Sequence, residues 1–470
     1  MIVEQIYTGC LAEAAYYIES EGEAAIIDPL RETAPYMDKA ASRGAKIKYV
    51  LETHFHADFV SGHIDLAKKT GATIVFGPSA QPGYDALVAQ DGEILQVGKV
   101  QIQVLHTPGH TMESTTYLLM DEDGKHHSIF TGDTLFIGDV GRPDLAVKTD
   151  LSQEDLAGHL YDSLYAKIMP LADEVIVYPG HGAGSACGKN MSSETFDTLG
   201  HQKQVNYALQ PMDKDEFVRQ VIDGLTPPPQ YFPKNARMNK EGYDTFDKVL
   251  ERGQQALEPD AFEELVNSQG ALMLDVRGTS DFVRGHIPNA IFVGLDGSFA
   301  SWVGTLVTDL KQPIVLIAPE GREEEAITRL SRVGYDHTLG YLKGGMDVWK
   351  ASGKEMATVE SIAPGEFAQR NQDQALTVID VRKPGEWDTQ HLAGSGVKNI
   401  PLDYINQHMD EFPKQDKLYL HCKGGYRSLV AASILKARGY HDLVNVEGGF
   451  DALLKEEVPV TESQCSTSIS

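Results

Sequence analysis

Histidines and aspartates recur in the first 200 residues at points where a predicted strand has just ended. Residues 53–58 read THFHAD and follow a run predicted to be a strand. His110 closes the segment HTPGH, Asp133 lies in TGDT and His181 closes YPGH. Strands present functional loops at their ends, so we expect these side chains to meet in space. Imidazole and carboxylate together suit Zn, Fe or Mn, and the pattern therefore predicts a metal site.

A cysteine stands between a predicted buried strand, 417–421, and a predicted helix, 429–437. Backbone amides and a helix N-terminus directed at Cys422 favour its thiolate form. Two glycines let the loop curl so that its amides point inward. Lys423 and Arg427 add positive charge and are expected to bind the substrate. The segment CKGGYRS therefore predicts a loop that holds a nucleophilic sulfur or an anion.

Short apolar runs alternate with amphipathic stretches along the rest of residues 1–200. Runs rich in Val, Ile, Leu and Tyr predict strands at residues 24–28, 47–52, 100–105, 115–120 and 175–178. Helices are predicted over 31–42 and 152–167. We therefore predict one α/β domain over residues 1–200.

A connector is predicted over residues 201–257, with a helix over 213–225. Four prolines in residues 226–233 exclude a helix interior there. The stretch 226–242 is therefore expected to be extended and semi-rigid.

Residues 258–456 contain an internal repeat. The sequence LDVR at 274–277 returns as IDVR 105 residues later, and the glycine pair at 344–345 returns after 104 residues. Both copies alternate strand and helix, which predicts two parallel-sheet α/β domains, 258–357 and 358–460. A Ser/Thr-rich tail follows over 461–470.

Composition limits the classes of partner. The chain has 470 residues, with 41 Lys+Arg against 68 Asp+Glu and a net charge of −27. At about 150 residues per domain, this length predicts roughly three domains. Nucleic acid and anionic membranes are disfavoured because both require clustered cations. Four cysteines without a C-x-x-C pair, no basic-then-apolar leader and no apolar run of about 18 residues predict a cytoplasmic protein without a membrane partner.

The segments THFHAD, HTPGHT, TGDTLF and YPGH resemble those of the metallo-β-lactamase fold, an αββα sandwich. Many members hold two metals, and their first motif is H-x-H-x-D-H. Phe59 stands in place of the last histidine. Because phenylalanine cannot bind a metal, we expect a single metal ion. Together with GDVGRPDL at 138–145, this loss resembles the persulfide dioxygenase branch of the fold.

That resemblance implies one Fe(II) per chain, held by His54, His110 and Asp133, with O2 as co-substrate. Two imidazoles and one carboxylate on one face leave coordination positions open for substrate and O2. The neighbouring His56 is a weaker candidate for a ligand. Two further residues are expected to orient ligands and bound water, namely Asp58 and His181.

A separate role is predicted for each of several other residues of this domain. Tyr178 and Arg142 are predicted to bind substrate, although Arg142 could equally form a structural ion pair. Asp28 is expected to shape a turn and His63 to lie on the surface. Cys187, six residues beyond His181 in a glycine-rich loop, is either a carrier of sulfane sulfur or a buried thiol.

The Cys422 loop and the repeated DVR, His and Gly-Gly markers resemble rhodanese sulfurtransferases. The spacing from Cys422 to Arg427 is one residue shorter than the C-x5-R loop of cysteine phosphatases, which fits a persulfide better than a phosphate. The offset of 105 places Ile317 opposite Cys422, and the first copy contains no cysteine. We therefore expect an active rhodanese domain over 358–460 and a silent one, a spacer or docking module, over 258–357.

The whole architecture resembles bacterial fusions of a persulfide dioxygenase with a rhodanese. This implies oxidation of a low-molecular-weight thiol persulfide to sulfite, and transfer of sulfane sulfur by Cys422 to give thiosulfate, as in sulfide detoxification. A homo-oligomer is also implied. The sequence leaves open the thiol carrier (glutathione, coenzyme A or bacillithiol), the direction of transfer at Cys422, and the roles of Cys10, Cys187 and Cys465.

Two other functions remain as alternatives. The first is a zinc hydrolase of the glyoxalase II or lactonase kind, in which metal-bound hydroxide attacks a thioester or lactone. Phe59 argues against it. The second is a non-enzymatic sulfur carrier or redox sensor, in which the N-terminal site is only structural.

Overall fold

The computed structural model describes residues 1–146, 151–456 and 458–461. Two compact units are present: residues 1–249 with 328–336, and residues 250–327 with 337 onward. Cys465 and the predicted tail beyond Thr461 lie outside the described residues.

Twelve strands build the first unit, in two six-stranded sheets. They are β1 (Ile2–Thr8), β2 (Glu13–Ser20), β3 (Glu23–Ile27), β4 (Lys46–Leu51), β5 (Thr73–Phe76), β6 (Leu87–Val88), β7 (Ile94–Val97), β8 (Val100–His106), β9 (Thr115–Met120), β10 (His126–Gly132), β11 (Ile176–Pro179) and β12 (Asp197–Thr198). One sheet runs in the order β1 to β6 and the other in the order β12 to β7. The strands predicted from apolar runs agree with β3, β4, β8, β9 and β11 to within one residue at each end.

Seven α-helices lie in the described part of residues 1–253. They are α1 (Ala34–Arg43), α2 (His63–Thr70), α3 (Gln153–Ser163), α4 (Leu199–Val205), α5 (Lys214–Ile222), α6 (Phe232–Glu241) and α7 (Phe246–Gly253). Alternate residues of β2 show the layering, because Tyr16 lies in the core between the sheets and Tyr17 packs with Tyr36 of α1. On the other side, Leu160 of α3 packs against Ile129 of β10. This layering confirms the predicted αββα sandwich.

Two five-stranded parallel sheets form the second unit. Its strands are β13 (Ala256–Leu257), β14 (Leu272–Asp275), β15 (Ile291–Phe292), β16 (Ile314–Ile317), β17 (Thr338–Leu342), β18 (Glu360–Ile362), β19 (Thr377–Asp380), β20 (Val397–Asn399), β21 (Leu418–His421) and β22 (Leu443–Val446). The order is β13-β17-β16-β14-β15 in the first sheet and β18-β22-β21-β19-β20 in the second. Both sheets therefore have the same topology, as the internal repeat predicts.

The helices in residues 254–456 alternate with these strands. They are α8 (Pro259–Gln269), α9 (Thr279–Arg284), α10 (Phe299–Leu306), α11 (Glu323–Ser331), α12 (Gly345–Ala351), α13 (Pro364–Asp373), α14 (Pro384–Thr389), α15 (Tyr426–Ala437) and α16 (Gly449–Leu453). Central strands covered on both faces have continuous apolar sequences, as in the fully buried IVLI of β16. No helix in the described part of the chain is long and apolar enough to cross a bilayer.

The expectation of extended chain over 226–242 is wrong for its second half, which forms α6. Pro233 lies in the first turn of this helix, where its missing N–H costs no hydrogen bond. Asn239 of α6 is buried and accepts a hydrogen bond from Ser61 N at 2.9 Å. It donates to the carbonyl oxygens of His56 and Phe59, both at 2.7 Å. The helix therefore holds the loop that carries the first histidine motif.

Replacing Asn239 with alanine should loosen this loop, because it leaves three buried backbone groups without their partners. Each such group costs about 1–3 kcal/mol. We expect a fall of several degrees in the melting temperature of the metal-free protein, measured by calorimetry. Asn235→Ala is the matched control, since neither polar atom of the buried Asn235 side chain has a hydrogen-bond partner among the described residues. An equal fall in both variants would show that Asn239 does not hold the loop.

Candidate functional site

The predicted metal-binding residues lie on loops that leave four strands of the first unit. His54 follows β4, His110 follows β8, Asp133 follows β10 and His181 follows β11. All four side chains are buried. The strand ladders fix where each loop begins, and the structure brings the four residues together as the sequence predicts.

His54, His110 and Asp133 form the first cluster, with one ligand atom of each within 4.8 Å of the others. Asp133 Oδ2 lies 3.4 Å from His110 Nε2 and 3.9 Å from His54 Nε2. Neither oxygen of Asp133 has a hydrogen-bond partner among the described residues. A buried carboxylate without partners is costly. A cation held by these three side chains would remove that cost.

The hydrogen bonds behind the two imidazoles fix which nitrogen faces the cluster. His110 Nδ1 donates to the carbonyl oxygen of Arg142 at 2.8 Å. Thr53 Oγ1 donates to Asp28 Oδ2 and therefore accepts from His54 Nδ1 at 3.0 Å. Burial, with the nearby His110 and other imidazoles, holds the pKa of His54 well below its usual value. His54 is therefore neutral, with an Nε2 lone pair available to a metal.

His56 belongs to a different group, formed with Asp28 and Glu52. Its Nε2 lies 3.0 Å from Asp28 Oδ1 and 3.6 Å from Glu52 Oε2. Burial opposes its positive charge, but the carboxylates of Asp28 and Glu52 raise the pKa of His56 to about 10. A protonated imidazole cannot bind a metal. Phe59 is fully buried and its ring lies 4.3 Å from that of His56.

Asp58, His181 and Cys187 form a further buried group beside the first cluster. His181 Nε2 lies 3.3 Å from Asp58 Oδ2 and 3.5 Å from Asp133 Oδ1. Burial, followed by the charges of Asp58 and Asp133, raises the pKa of the Cys187 thiol well above its usual value. Asp133 therefore turns one oxygen towards each group.

Cys422 lies at the turn between β21 and α15, and this helix begins three residues earlier than predicted. The amide of Gly425 donates to Cys422 Sγ at 3.1 Å, and Ser428 Oγ lies 3.7 Å from the sulfur. The loop amide at Gly425 thus points at the sulfur, as expected for a loop that holds an anion.

The two basic residues of the loop have different surroundings. Arg427 forms a bidentate ion pair with Glu386, at 2.6 and 2.8 Å. Lys423 is exposed. Lys423 therefore has the freer cation for a bound anion, although both residues were predicted to bind substrate.

Models of two protein families match the chain. The metallo-β-lactamase superfamily matches residues 8–181, and the rhodanese-like domain matches residues 258–352 and 363–456. The persulfide dioxygenase ETHE1, mitochondrial, of Homo sapiens is 30% identical over 210 residues, which are 44% of this chain and 74% of the human protein. The chain belongs to the metallo-β-lactamase superfamily. Two rhodanese-like domains follow its metallo-β-lactamase domain.

Hydrolases are also among the relatives of the metallo-β-lactamase domain. The probable hydroxyacylglutathione hydrolase glo2 of Schizosaccharomyces pombe is 32% identical over 186 residues, 39% of this chain and 68% of that protein. The crystal structure of a metallo-β-lactamase from Staphylococcus aureus subsp. aureus COL has a TM-score of 0.64 at 32% identity, covering 73% of this chain and 99% of that one. Family membership thus establishes the fold and a metal-binding enzyme class, whereas the reaction needs further argument.

Arg142 and Tyr178, both predicted to bind substrate, already have partners in the metallo-β-lactamase domain. Arg142 donates twice to the carboxylate of Asp144, at 2.6 and 2.8 Å, and once to Ala186 O at 3.1 Å. The half-buried Tyr178 ring stacks on Phe130 with centroids 5.4 Å apart. Their contacts with substrate stay predictions.

His63 is fully buried, so its predicted surface position is wrong. Its Nε2 lies 2.6 Å from Tyr84 Oη, and its ring packs against Tyr243. Those tyrosines are distant along the chain, and no local pattern indicates them. Asp28 shapes a turn as expected, with φ at +49°. It also accepts from both N and Oγ1 of Thr53 at 2.8 Å, a role for which the only signal is its place after an apolar strand.

The first rhodanese-like domain has Ala318, rather than Ile317, at the position of Cys422. Asp275 pairs with Ile317 in the parallel ladder of β14 and β16, and Asp380 pairs with His421 in the equivalent ladder. The residue after each of these partners begins the loop. The offset that relates this position of the first copy to Cys422 is therefore 104 and not the predicted 105, because the segments that precede it in the two copies differ in length by one residue. The expected absence of a thiol at this position is unaffected.

The glycine pair of the second rhodanese-like domain supports the Cys422 loop. Phe450 N donates to Cys422 O at 2.7 Å, and Asp451 N donates to Lys423 O at 3.1 Å. Gly449 has φ +57°, and a Cβ at this position would collide with the carbonyl oxygen of Cys422. Gly345 of the first rhodanese-like domain has φ +59°, but nothing lies within 4 Å of a Cβ built there.

Gly449→Ala should therefore displace the Cys422 loop, whereas Gly345→Ala should not. Both changes place alanine in the left-handed region at a similar cost of about 1–2 kcal/mol, which makes them a matched pair. We expect sulfur transfer from thiosulfate to cyanide to fall at least about tenfold in Gly449→Ala, because a small misplacement of a reacting atom is expensive. Gly345→Ala should retain the parental rate. Equal rates in the two variants would show that Gly449 does not hold the Cys422 loop in place.

Proposed function

We propose that this chain oxidises the terminal sulfur of a low-molecular-weight thiol persulfide to sulfite with O2, and that Cys422 transfers sulfane sulfur to sulfite to give thiosulfate. The observation that carries the proposal is the cluster of His54, His110 and Asp133 in the same chain as a rhodanese loop. A thioester hydrolase has no use for a sulfur-carrying domain. Sulfite made at the metal, in contrast, is an acceptor for a persulfide on Cys422.

The donor set of the cluster fits Fe(II). Two imidazoles and one carboxylate are the ligands of many non-haem Fe(II) oxygenases, and both oxygens of Asp133 are buried without hydrogen-bond partners among the described residues. When bound, Fe(II) supplies open positions at which a persulfide sulfur and O2 react. Overall, one persulfide, one O2 and one water give one thiol, one sulfite and two protons.

The chain contributes the orientation of these ligands. The carbonyl of Arg142 holds His110, and the hydroxyl of Thr53, itself bonded to Asp28, holds His54. Fixed Nδ1 protons keep both Nε2 lone pairs directed at the site. Tyr178 and Arg142 remain the proposed substrate contacts. The carbonyl oxygen of Arg142 also holds His110.

The sulfur-transfer step follows from the loop around Cys422. The Cys422 thiolate attacks the outer sulfur of a persulfide, the S–S bond breaks, and the thiol leaves. Sulfite then attacks the sulfur carried on Cys422, which departs as thiolate, and thiosulfate is released. The amide of Gly425 supports charge on the sulfur, and the exposed Lys423 draws anionic sulfite to a chain of net charge −27. A tether between the two sites raises the local concentration of sulfite.

A zinc-dependent thioester hydrolase is the second candidate, because hydroxyacylglutathione hydrolases are among the relatives. Phe59 counts against a histidine-rich two-metal site of that kind. With four cysteines in 470 residues, the composition supports a reducing cytoplasmic compartment. A homo-oligomer remains part of the proposal.

Asp133→Asn should abolish the dioxygenase, because the amide removes the negative charge that the first cluster offers to a metal. We expect bound iron, measured by elemental analysis, and O2 uptake with glutathione persulfide to fall at least about 100-fold. Asp123→Asn, in an exposed turn, is the control and should retain both. Stoichiometric zinc without iron, together with hydrolysis of a glutathione thioester and no O2 uptake, would establish the hydrolase instead.

Cys422→Ser should separate the two activities. We expect O2 uptake to persist while thiosulfate disappears from the products and sulfite accumulates, as followed by chromatography of the reaction mixture. Cys10→Ser serves as the control for removal of a thiol and should still form thiosulfate. Loss of O2 uptake in Cys422→Ser would show that the two sites do not work independently.

A further inference from the structure

The two rhodanese-like copies touch each other inside one compact unit, which holds residues 250–327 and 337 onward. Strand β15 lies at the edge of the first sheet, so one side of its backbone has no neighbouring strand in the described part of the chain. The amide of Phe292 in β15 donates to Ser433 Oγ of α15 at 2.9 Å, and both residues are buried. The second copy therefore supplies a partner that the first sheet lacks.

Another contact between the copies lies close to Cys422 along the chain. Tyr426 begins α15, and its Oη donates to the carbonyl oxygen of Gly294 at 3.0 Å. Gly294 is buried in the first copy, and the amides on either side of it donate to the carbonyl oxygens of residues 275 and 276, both at 3.0 Å. The first turn of α15 is therefore tied by a side chain to a well-held backbone group of the neighbouring copy.

The residue before Tyr426 provides the amide that faces the sulfur. Gly425 N donates to Cys422 Sγ at 3.1 Å, and Gly425 has φ +95°, a left-handed conformation that glycine adopts at no steric cost. This residue leads directly into α15, so the position of Tyr426 limits where the Gly425 amide can point. The glycine turn that contains Gly449 supports the loop from within the second copy, and Tyr426 adds a hold from the first.

The equivalent loop of the first copy does without such a tyrosine. With Ala318 opposite Cys422, Arg322 stands opposite Tyr426. The guanidinium of Arg322 pairs with Glu325 at 2.7 Å and with Asp296 at 3.0 Å. The rhodanese-like fold therefore does not itself require a tyrosine at this position, and the tyrosine occurs in the copy that has the thiol.

We propose that Tyr426 is a positioning residue for sulfur transfer at Cys422, and that the first rhodanese-like domain takes part in this site by holding the tyrosine hydroxyl through Gly294 O. The inference rests on the proposed sulfur transfer. When sulfite takes the outer sulfur, negative charge returns to Cys422 Sγ, and the amide of Gly425 stabilises that charge only while it stays within hydrogen-bond distance. A copy without a thiol thereby has a task in the reaction of the other copy.

Tyr426→Phe removes the hydroxyl and keeps the ring. We expect kcat for sulfur transfer from thiosulfate to cyanide to fall at least about fivefold through the loss of one hydrogen bond. The KM for thiosulfate should change little, because the exposed Lys423 is unaltered. Amide hydrogen exchange over 422–428, followed by mass spectrometry of the resting protein, should become faster. Tyr440→Phe is the matched control and should change none of these, since Tyr440 Oη donates to Met409 O at 3.0 Å within the second copy.

Ser433→Ala tests the contribution of the first copy at a distance from the loop, because it leaves the buried amide of Phe292 without this partner. We expect kcat to fall at least about threefold, with faster exchange over 422–428. Ser331→Ala is the control and should keep the parental values. Both serines are buried and donate within their own helices, at 2.7 and 2.8 Å, but Ser331 belongs to the segment grouped with the first unit.

Several outcomes would overturn the inference. These are parental kcat and exchange in Tyr426→Phe, an equal fall of kcat in Tyr440→Phe, or a parental kcat in Ser433→Ala. A rise in KM alone would assign Tyr426 to anion binding and would likewise overturn its positioning role. If the parent protein, compared with Cys422→Ser, transfers no sulfur, then the proposed sulfur transfer fails, and the exchange comparison still decides whether Tyr426 holds the loop.

Discussion

The functional loops of the first unit are arranged around one buried carboxylate. It lies among imidazoles and has no hydrogen-bond donor of its own among the described residues. Asp133 is 2% exposed, and the Nε2 nitrogens of His54, His110 and His181 lie 3.9, 3.4 and 3.5 Å from its oxygens. In water such a group would be fully solvated, whereas here the fold gives up that solvation without replacing it. A cation held between these side chains would restore the lost free energy. The loops are therefore arranged for metal binding at a cost to the stability of the metal-free protein.

The residues around that carboxylate are held from behind by groups that never face the site. The carbonyl of Arg142 fixes one histidine, and the pair of Thr53 and Asp28 fixes another. Asn239 reaches from α6 to bind the backbone of the first motif. Because each tie uses a backbone group or a short side chain, these side chains are held in position without a metal. His56 shows the reverse case, since its acidic neighbours keep it protonated and away from the cluster.

The two copies in the second unit share one fold and differ at the few residues that could carry chemistry. Both copies have the same strand order and the same left-handed glycine pair after the last long strand. The second copy places Cys422 after β21 and encloses it with a loop amide and the glycine turn, whereas the first copy has Ala318 there. The same sheet therefore supports both copies, and they differ at the loop that follows one strand, which is where a fold of this kind carries its chemistry.

Local patterns in the sequence alone determined the strands and the repeat, because these depend on periodicity and on residues a few positions apart. The αββα class and the candidate ligands His54, His110 and Asp133 came from the resemblance of short motifs to the metallo-β-lactamase fold. Only the tertiary structure decided that 232–241 is helical, that His63 is buried and that Cys187 faces Asp58, 129 residues earlier. Burial and long-range proximity arise when separate loops pack together, and no short stretch of sequence records that packing.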